Sequence, residues 1–273
     1  IGEEVAAVAA TDADAALEAM ELIQVDYEAL PAVFDPEAAL QPNAPQLHDH
    51  APGNISREFH LKQGDVERGF LDSDLVREDT FTTQSAIHAY LEPHAALATW
   101  DMAGRLTLYT STQTPYYVQQ HLALTLGINP DRVRVIKPYV GGGFGGKSDG
   151  MAALDFCAAL LSMKTGKPVK IVYSRDEEFT AARRKHPVTI TMKTGVKKDG
   201  TIVARQCKAL LDGGAYCSLG PLTTILVGTF QTLPYRIPNF QYDGYRVYTN
   251  KPPCGAMRGH GGPQAHFAQD VQM

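Results

Sequence analysis

Three short stretches hold the residues whose types and spacing suit chemistry. The densest is Gly141-Gly142-Gly143-Phe144-Gly145-Gly146-Lys147-Ser148, which follows the β-branched Val133, Val135 and Ile136 and precedes an almost wholly apolar segment at 151–163. Five glycines in six positions bare the backbone, so its N–H groups can approach a ligand closely and reach positive φ without strain. A helix starting just beyond would add free N–H groups and the positive end of its dipole. An anion is the expected guest, a phosphate or an oxo group. A second stretch, Cys254-Gly255-Ala256-Met257-Arg258-Gly259-His260-Gly261-Gly262-Pro263-Gln264, sets an Arg and a His among glycines ahead of a helix start. It again describes an anion-facing backbone with two polar side chains. The third, Ser111-Thr112-Gln113, ends a strand.

By letter the octet fits two known patterns. Gly141, Gly146, Lys147 and Ser148 satisfy G-x-x-x-x-G-K-[ST], the phosphate-cradling loop of nucleotide hydrolases, with Asp176 the one plausible acid from a neighbouring strand. Gly141, Gly143 and Gly146 satisfy the dinucleotide pattern G-x-G-x-x-G, although no acid closes a second strand at the required distance. A purely structural glycine turn is the third reading. Phe144 at the loop centre argues against both nucleotide readings, because it would crowd a wrapped triphosphate. His48, Asp49 and His50 have no further ligands flanking them and read as a solvated linker before a metal site. Arg183, Arg184 and Lys185 read as a solvated loop, or as a patch for an acidic partner or a phosphate tail.

Those stretches need elements to position them, and composition bounds what the elements can be. A chain of 273 residues makes one large domain or two ordinary ones. With 44% hydrophobic and 20% charged residues it is globular. A net charge of -5 leaves no basic footprint for nucleic acid. Four cysteines, Cys157, Cys207, Cys217 and Cys254, lie far apart with no C-x-x-C spacing, which argues against an iron–sulfur or zinc site of the chain's own and against a disulfide framework. The longest apolar run is too short to span a bilayer. The chain opens at Ile1-Gly2-Glu3-Glu4 without an initiator Met and stops at Val271-Gln272-Met273, so an internal piece of a longer protein is expected.

The pattern along the chain predicts a strand at 5–9, a helix at 13–22 capped by Thr11 or Asp12 with Ala16, Met20 and Ile23 on one face, and a strand at 25–27. Residues 35–53 read as a surface linker. From Glu58 onward the pattern predicts strands at 76–83, 97–100 and 106–109, with a turn at Tyr90-Leu91-Glu92-Pro93-His94. A helix follows, capped by Thr114, with Pro115 at its first position, Gly127 past its last, and Val118, Leu122 and Leu126 as its buried stripe. The next strand feeds the glycine loop. The helix at 151–163 is apolar nearly all round and should be buried inside a large protein or at a subunit interface. A strand at 169–173 precedes a hairpin, 188–194 with 202–211, turned at Lys198-Asp199-Gly200, and then the loop Gly213-Gly214-Ala215-Tyr216. A helix at 264–270 ends the pattern.

In this order and at these separations, Gln113, the octet and the Arg258 stretch resemble the large molybdopterin-binding subunit of the xanthine oxidase family of molybdenum hydroxylases. Tyr90-Leu91-Glu92-Pro93-His94 and the opening strand–helix–strand resemble it too, and the likeness covers essentially the whole chain. It implies an α+β fold: residues 1–36 as the C-terminal part of a small hammerhead-like α/β domain, 37–70 as a linker, and 71–273 as the N-terminal part of the molybdopterin-binding catalytic domain. It implies an oxidoreductase with a molybdenum–pterin cofactor, as molybdopterin or its cytosine dinucleotide, whose metal carries oxo, sulfido and hydroxo ligands and is held by a pterin dithiolene. Gln113 would donate its amide to an apical oxo ligand, the backbone at Gly143, Phe144 and Gly145 would border the metal's oxygen ligand, and Arg258 would present its backbone amide, none of them ligating the metal through a side chain. The resemblance further implies a 2Fe-2S subunit and an FAD subunit as partners, a dimer of heterotrimers, a cytoplasmic location, no nucleic acid and no membrane span. The family's catalytic glutamate is expected beyond the end of this chain, which should not turn over alone.

Departures from the family pattern bear on the substrate. Purine-oxidising members carry a glutamate where Ser148 stands, an arginine at about Leu226, and a stacking phenylalanine where His260 stands. Copper-binding carbon monoxide dehydrogenases need a cysteine where Gly259 stands. The segment from Asn54-Ile55-Ser56-Arg57 to Gly64-Asp65-Val66, with Glu92-Pro93-His94 and the His260 loop, looks most like the large subunit of 4-hydroxybenzoyl-CoA reductase. The implied substrate is an aromatic acyl-CoA; the alternative is an aldehyde or an N-heterocycle. Ser148, Leu226 and His260 are the expected substrate-facing residues, with the His260 ring in the channel and not in the core.

Overall fold

A strand–helix–strand crossover organises each half of the chain. The computed structural model describes residues 2–148 and 152–273. They fall into two units, Ile1–Leu30 with His88–Ala182, and Pro31–Ile87 with Arg183–Met273.

In the first unit, strand Leu106–Thr110 alternates buried Leu106, Leu108 and Thr110 with outward Thr107 and Tyr109. Helix Pro115–Leu126 crosses over, and strand Val133–Ile136 returns parallel, Leu106 opposite Val133 and Tyr109 opposite Ile136. Strands Ala95–Trp100 and Val169–Val172 extend the sheet by antiparallel pairing. Val118 and Leu122 from the crossover helix, and Leu154 and Ala158 from helix Ala153–Thr165, cover Ala96, Ala98, Leu106 and Leu108. Parallel pairing puts the carboxyl ends of two strands side by side, where α/β sheets hold their ligands. Gln113 leaves one of those ends and the glycine loop follows the other.

The second unit repeats the device. Strands Ile202–Asp212 and Asn239–Val247 pair in parallel, Asp212 opposite Val247, across helix Gly220–Phe230. Strand Val188–Val196 forms the expected hairpin with Ile202–Asp212, closed by the Lys197 N–H on the Thr201 carbonyl at 2.8 Å. Leu75–Thr83 and Ile55–Gln63 complete a five-stranded sheet, over which helix Gly262–Gln272 also packs. A second, minimal sheet joins Ala86–Ile87, Arg184–Lys185 and Cys254–Gly255.

The mixed α/β architecture with open sheets is the class expected. Some local expectations fail. Residues 5–9 and 25–27 pair with no strand among the described residues, since an extended segment becomes a strand only against an edge that satisfies its N–H and C=O groups. Helix Ala13–Glu21 is capped by Asp12, whose carboxylate accepts from Ala15 N–H at 2.9 Å, yet it buries no residue. Thr114 does not cap its helix through the side chain; its hydroxyl donates to the Ser148 carbonyl at 3.3 Å. The helix placed at 151–163 runs Ala153–Thr165, with Met151 outside the described residues, and within this chain it buries Leu154, Ala158 and Ala159. The 35–53 stretch is pinned by buried Asn54, which donates to Ala39 O at 3.0 Å and Pro45 O at 2.9 Å. His48 within it is half-buried and donates to Ala215 O at 2.5 Å, while Asp49 and His50 are exposed. Arg184 and Lys185 are strand residues and not part of a loop.

Leu108→Ala should lower the stability of the first unit by about 3 kcal/mol, as a fully buried leucine truncated in a packed core does. Leu91→Ala, at a residue 91% exposed, should shift it by no more than about 0.5 kcal/mol. Urea midpoints at unchanged slope measure both.

Candidate functional site

Within the first unit, the glycine loop folds around one side-chain oxygen. Gln113 Oε1 accepts from Gly145 N–H at 3.0 Å and from Lys147 N–H at 3.4 Å, while the Gln113 N–H donates to the Lys147 carbonyl at 2.7 Å. Two N–H donors aimed at one atom identify it as the oxygen, so the amide orientation follows from chemistry. The other end, Nε2, has no partner among the described residues, and the side chain is exposed. Gly143 allows this approach: a Cβ there would sit 2.4 Å from Oε1. Phe144 is held at φ 50°, a costly conformation for an aromatic residue, and is 46% exposed. Ser148 donates its hydroxyl to the Gly145 carbonyl at 2.6 Å, which closes the loop.

A buried ammonium anchors this arrangement. The Lys147 side chain has no solvent exposure; Nζ donates to Glu92 Oε2 at 2.7 Å, to Glu92 O at 2.8 Å and to Pro93 O at 3.4 Å. Glu92 Oε2 also accepts from Gly141 N–H at 2.8 Å. Burial raises the Glu92 pKa, but the hydrogen bonds from Lys147 and Gly141 more than offset it, so the carboxyl is held below its ordinary value. The same turn is tied at its other positions. Tyr90 OH donates to Glu178 Oε2 at 2.8 Å, the His94 N–H and ring Nδ1 both reach Glu178 Oε1, and Arg175 donates to the Tyr90 and Leu91 carbonyls at 2.9 Å each. Burial raises the Glu178 pKa, but the His94 bonds and charge more than offset it, leaving it below the usual range.

The second unit carries Arg258, His260 and Leu226. Gly259, His260 and Gly261 have φ of 90°, 30° and 89°, three left-handed residues in a row that turn the chain into helix Gly262–Gln272. His260 Nε2 lies 2.9 Å from Thr223 Oγ1 on helix Gly220–Phe230, and the ring is half-buried. Leu226, one turn along that helix, has its Cβ 3.1 Å from where a Cβ on Gly261 would stand, so Leu226 and the His260 turn are neighbours. Arg258 is exposed. Beneath them Arg246, fully buried, donates through Nε to His186 Nε2 at 3.1 Å and through Nη2 to Gly213 O at 2.7 Å and Tyr216 O at 3.0 Å. Burial, then the Arg246 and His260 charges, push His186 well below the ordinary imidazole value, so it stays neutral and accepts.

Two expectations are corrected by this geometry. The loop amides of Gly145 and Lys147 face a glutamine oxygen, and no helix starts at the loop among the described residues, the next beginning at Ala153. The nucleotide-hydrolase reading fails because Lys147, its phosphate-binding lysine, is buried against Glu92. Sequence reasoning missed Glu92, Glu178, Arg175 and Arg246 as organising residues. A lone Glu and His inside Tyr90-Leu91-Glu92-Pro93-His94 were the available signal, and nothing marked their partners. No group of three or more His, Cys, Asp or Glu among the described residues could hold a metal ion.

Residues 47–273 match the profile of the molybdopterin cofactor-binding domain. The chain is 40% identical over 272 residues to the nicotinate dehydrogenase large molybdopterin subunit of Eubacterium barkeri, all of this chain against 63% of that protein. It is 36% identical over 272 residues to the xanthine dehydrogenase molybdenum-binding subunit of Escherichia coli O157:H7, all of this chain against 36% of that protein. Among solved structures, quinoline 2-oxidoreductase from Pseudomonas putida 86 superposes with a TM-score of 0.86 at 31% identity, over 92% of this chain and 32% of that one. The chain thus spans less than two thirds of the length of these relatives.

Glu92→Gln should destabilise the first unit by about 3 kcal/mol, because it leaves a buried ammonium without its counter-charge. The pH dependence has a definite sign. A carboxyl lowered on folding contributes fully above its ordinary value of 4.5, and the contribution is lost as pH falls through the lowered folded value. Stability of the wild-type unit should therefore drop with acid below about pH 4.5, and Glu92→Gln should flatten that drop. Unfolding free energies across this range measure it.

Proposed function

The chain belongs to the molybdopterin cofactor-binding domain family, and from that premise we propose that it forms the cofactor-binding part of a molybdenum hydroxylase acting on an N-heteroaromatic ring. The observation that carries the reading is the Gln113 amide, with its oxygen captured by two loop N–H groups and its Nε2 presented outward. Such a donor is preorganised toward an electron-rich ligand before that ligand arrives. The donor set suits a molybdenum–pterin group: an amide N–H and a backbone exposed at Phe144, both able to face oxygen ligands of the group. Bound there, the group would supply two-electron redox chemistry. Gln113, with the backbone of Gly143, Phe144 and Gly145, would hold it from the first unit.

What the chain's own residues contribute is orientation. Lys147 and Glu92 fix the loop, and the loop fixes the amide with its two Nε2 N–H groups on the side away from the loop N–H donors. In the second unit Leu226 would offer an apolar wall and His260 a polar one, its ring steadied by Thr223. The relatives are named for nicotinate and xanthine, and the solved structure for quinoline, all N-heteroaromatic rings, which supports that substrate class. A second reading, an aromatic acyl thioester as in 4-hydroxybenzoyl-CoA reductase, is favoured by the polar His260 ring, which suits a phenolic or carbonyl oxygen better than a stacking phenylalanine would. Iron–sulfur and flavin subunits, in a dimer of heterotrimers, are the partners this reading calls for.

The protein purified from its host should contain molybdenum and pterin; their absence would remove the reading altogether. Gln113→Ala should keep the molybdenum content while lowering turnover by roughly a hundredfold, the usual effect of losing one such donor. Assay of the loaded enzyme with nicotinate and with 4-hydroxybenzoyl-CoA separates the two substrate readings. In the second, His260→Phe should damage turnover of the thioester and alter its pH profile.

A further inference from the structure

Outside the loops assigned above, the carboxyl ends of the second unit's parallel strands hold a cluster with no role in the proposed reaction. Cys217 Sγ lies 2.8 Å from Tyr248 OH and accepts from Arg246 Nη1 at 3.6 Å. Cys217 is exposed, while Arg246 has 0% exposure. The guanidinium is satisfied in hydrogen bonds, by Ser56 Oγ at 2.8 Å, His186 and the Gly213, Tyr216 and Cys254 carbonyls, but every one of these acceptors is neutral. No carboxylate lies within ion-pair distance of it among the described residues, although Asp212 acts on it from further away. A buried cation whose counter-charge lies beyond ion-pair distance is costly. The contact atom that can acquire an anionic oxygen while still facing solvent is the sulfur of Cys217.

The other three thiols are poor competitors. Burial pushes Cys207 and Cys254 up to about 12, and it raises Cys157, which is only partly accessible. Thiol reactivity follows access and a cationic, hydrogen-bonding neighbourhood. Cys217 alone combines both.

We propose that Cys217 is a redox modification site, oxidised by hydroperoxides to a sulfenic acid whose oxygen is held by Arg246 and Tyr248. In the step an S–O bond forms and the peroxide O–O bond breaks. Sulfur loses two electrons, and the peroxide is reduced to water, whose second proton comes from the thiol when hydrogen peroxide is the oxidant. The product places a polar oxygen, a better acceptor than the thiol sulfur, against the guanidinium. Because Arg246 also holds the Gly213 and Tyr216 carbonyls, the modification acts on the same loop that follows strand Ile202–Asp212.

The test uses the full-length protein, hydrogen peroxide, and dimedone to trap sulfenic acid, with peptide mass spectrometry reading each cysteine. Cys217 should be labelled first, roughly tenfold faster than the same cysteine in the urea-unfolded chain, since one charge-assisted hydrogen bond to the developing oxyanion supplies about that much. Tyr248→Phe removes the outer donor and leaves the buried guanidinium in place; it should slow labelling severalfold with the far-UV spectrum unchanged. Labelling of native Cys217 no faster than in the unfolded chain, or first labelling at Cys157, would overturn the proposal. So would a Tyr248→Phe variant with an unchanged rate.

Discussion

An ammonium group with no access to water must find its acceptors inside the protein, and Lys147 finds three of them on one turn. That requirement sets the position of the glycine loop. The side chain of Lys147 locks to Glu92 and Pro93, while the backbone of the same residue meets Gln113 on both its N–H and its C=O. Electrostatic satisfaction at one end of the residue is geometric definition at the other. Breaking the pair would leave a buried charge and also loosen the amide that the rest of the loop is folded to present.

The second unit applies the same logic with a guanidinium. Arg246 gathers carbonyls from the Gly213 and Tyr216 loop and from Cys254, two separate stretches that would otherwise leave acceptors unpaired. In both units the cation works behind the carboxyl end of a parallel strand pair, where a crossover helix forces two loops to emerge together. Loops held in this way need little reorganisation when a ligand arrives, which is the condition for backbone and amide donors to act electrostatically.

Much of this was legible in the residues. Pro115 and Gly127 bracket their helix as their backbone preferences require, and the Lys198-Asp199-Gly200 turn makes the hairpin it announces. The association of Gln113 with the octet follows from the order strand, helix, strand. The partners of buried charges were not legible. Glu92 and Lys147 are 55 positions apart, and His94 and Glu178 are 84 apart, so no local pattern joins them. The G-K-S string misled for that reason: a pattern records the presence of a lysine and nothing of where its ammonium goes. Strand propensity at 5–9 and 25–27 misled differently, since a strand is a property of a pair and the sequence shows one member.

Gly213 and Gly220 both press on the Arg246 guanidinium, with a Cβ on either falling 2.2–2.5 Å from its atoms. These three positions therefore cannot drift independently. A lineage or a designed library that enlarges either glycine must first shorten or remove the arginine, and losing the arginine strands the carbonyls it collects. The permitted routes through sequence space run through concerted change at all three sites.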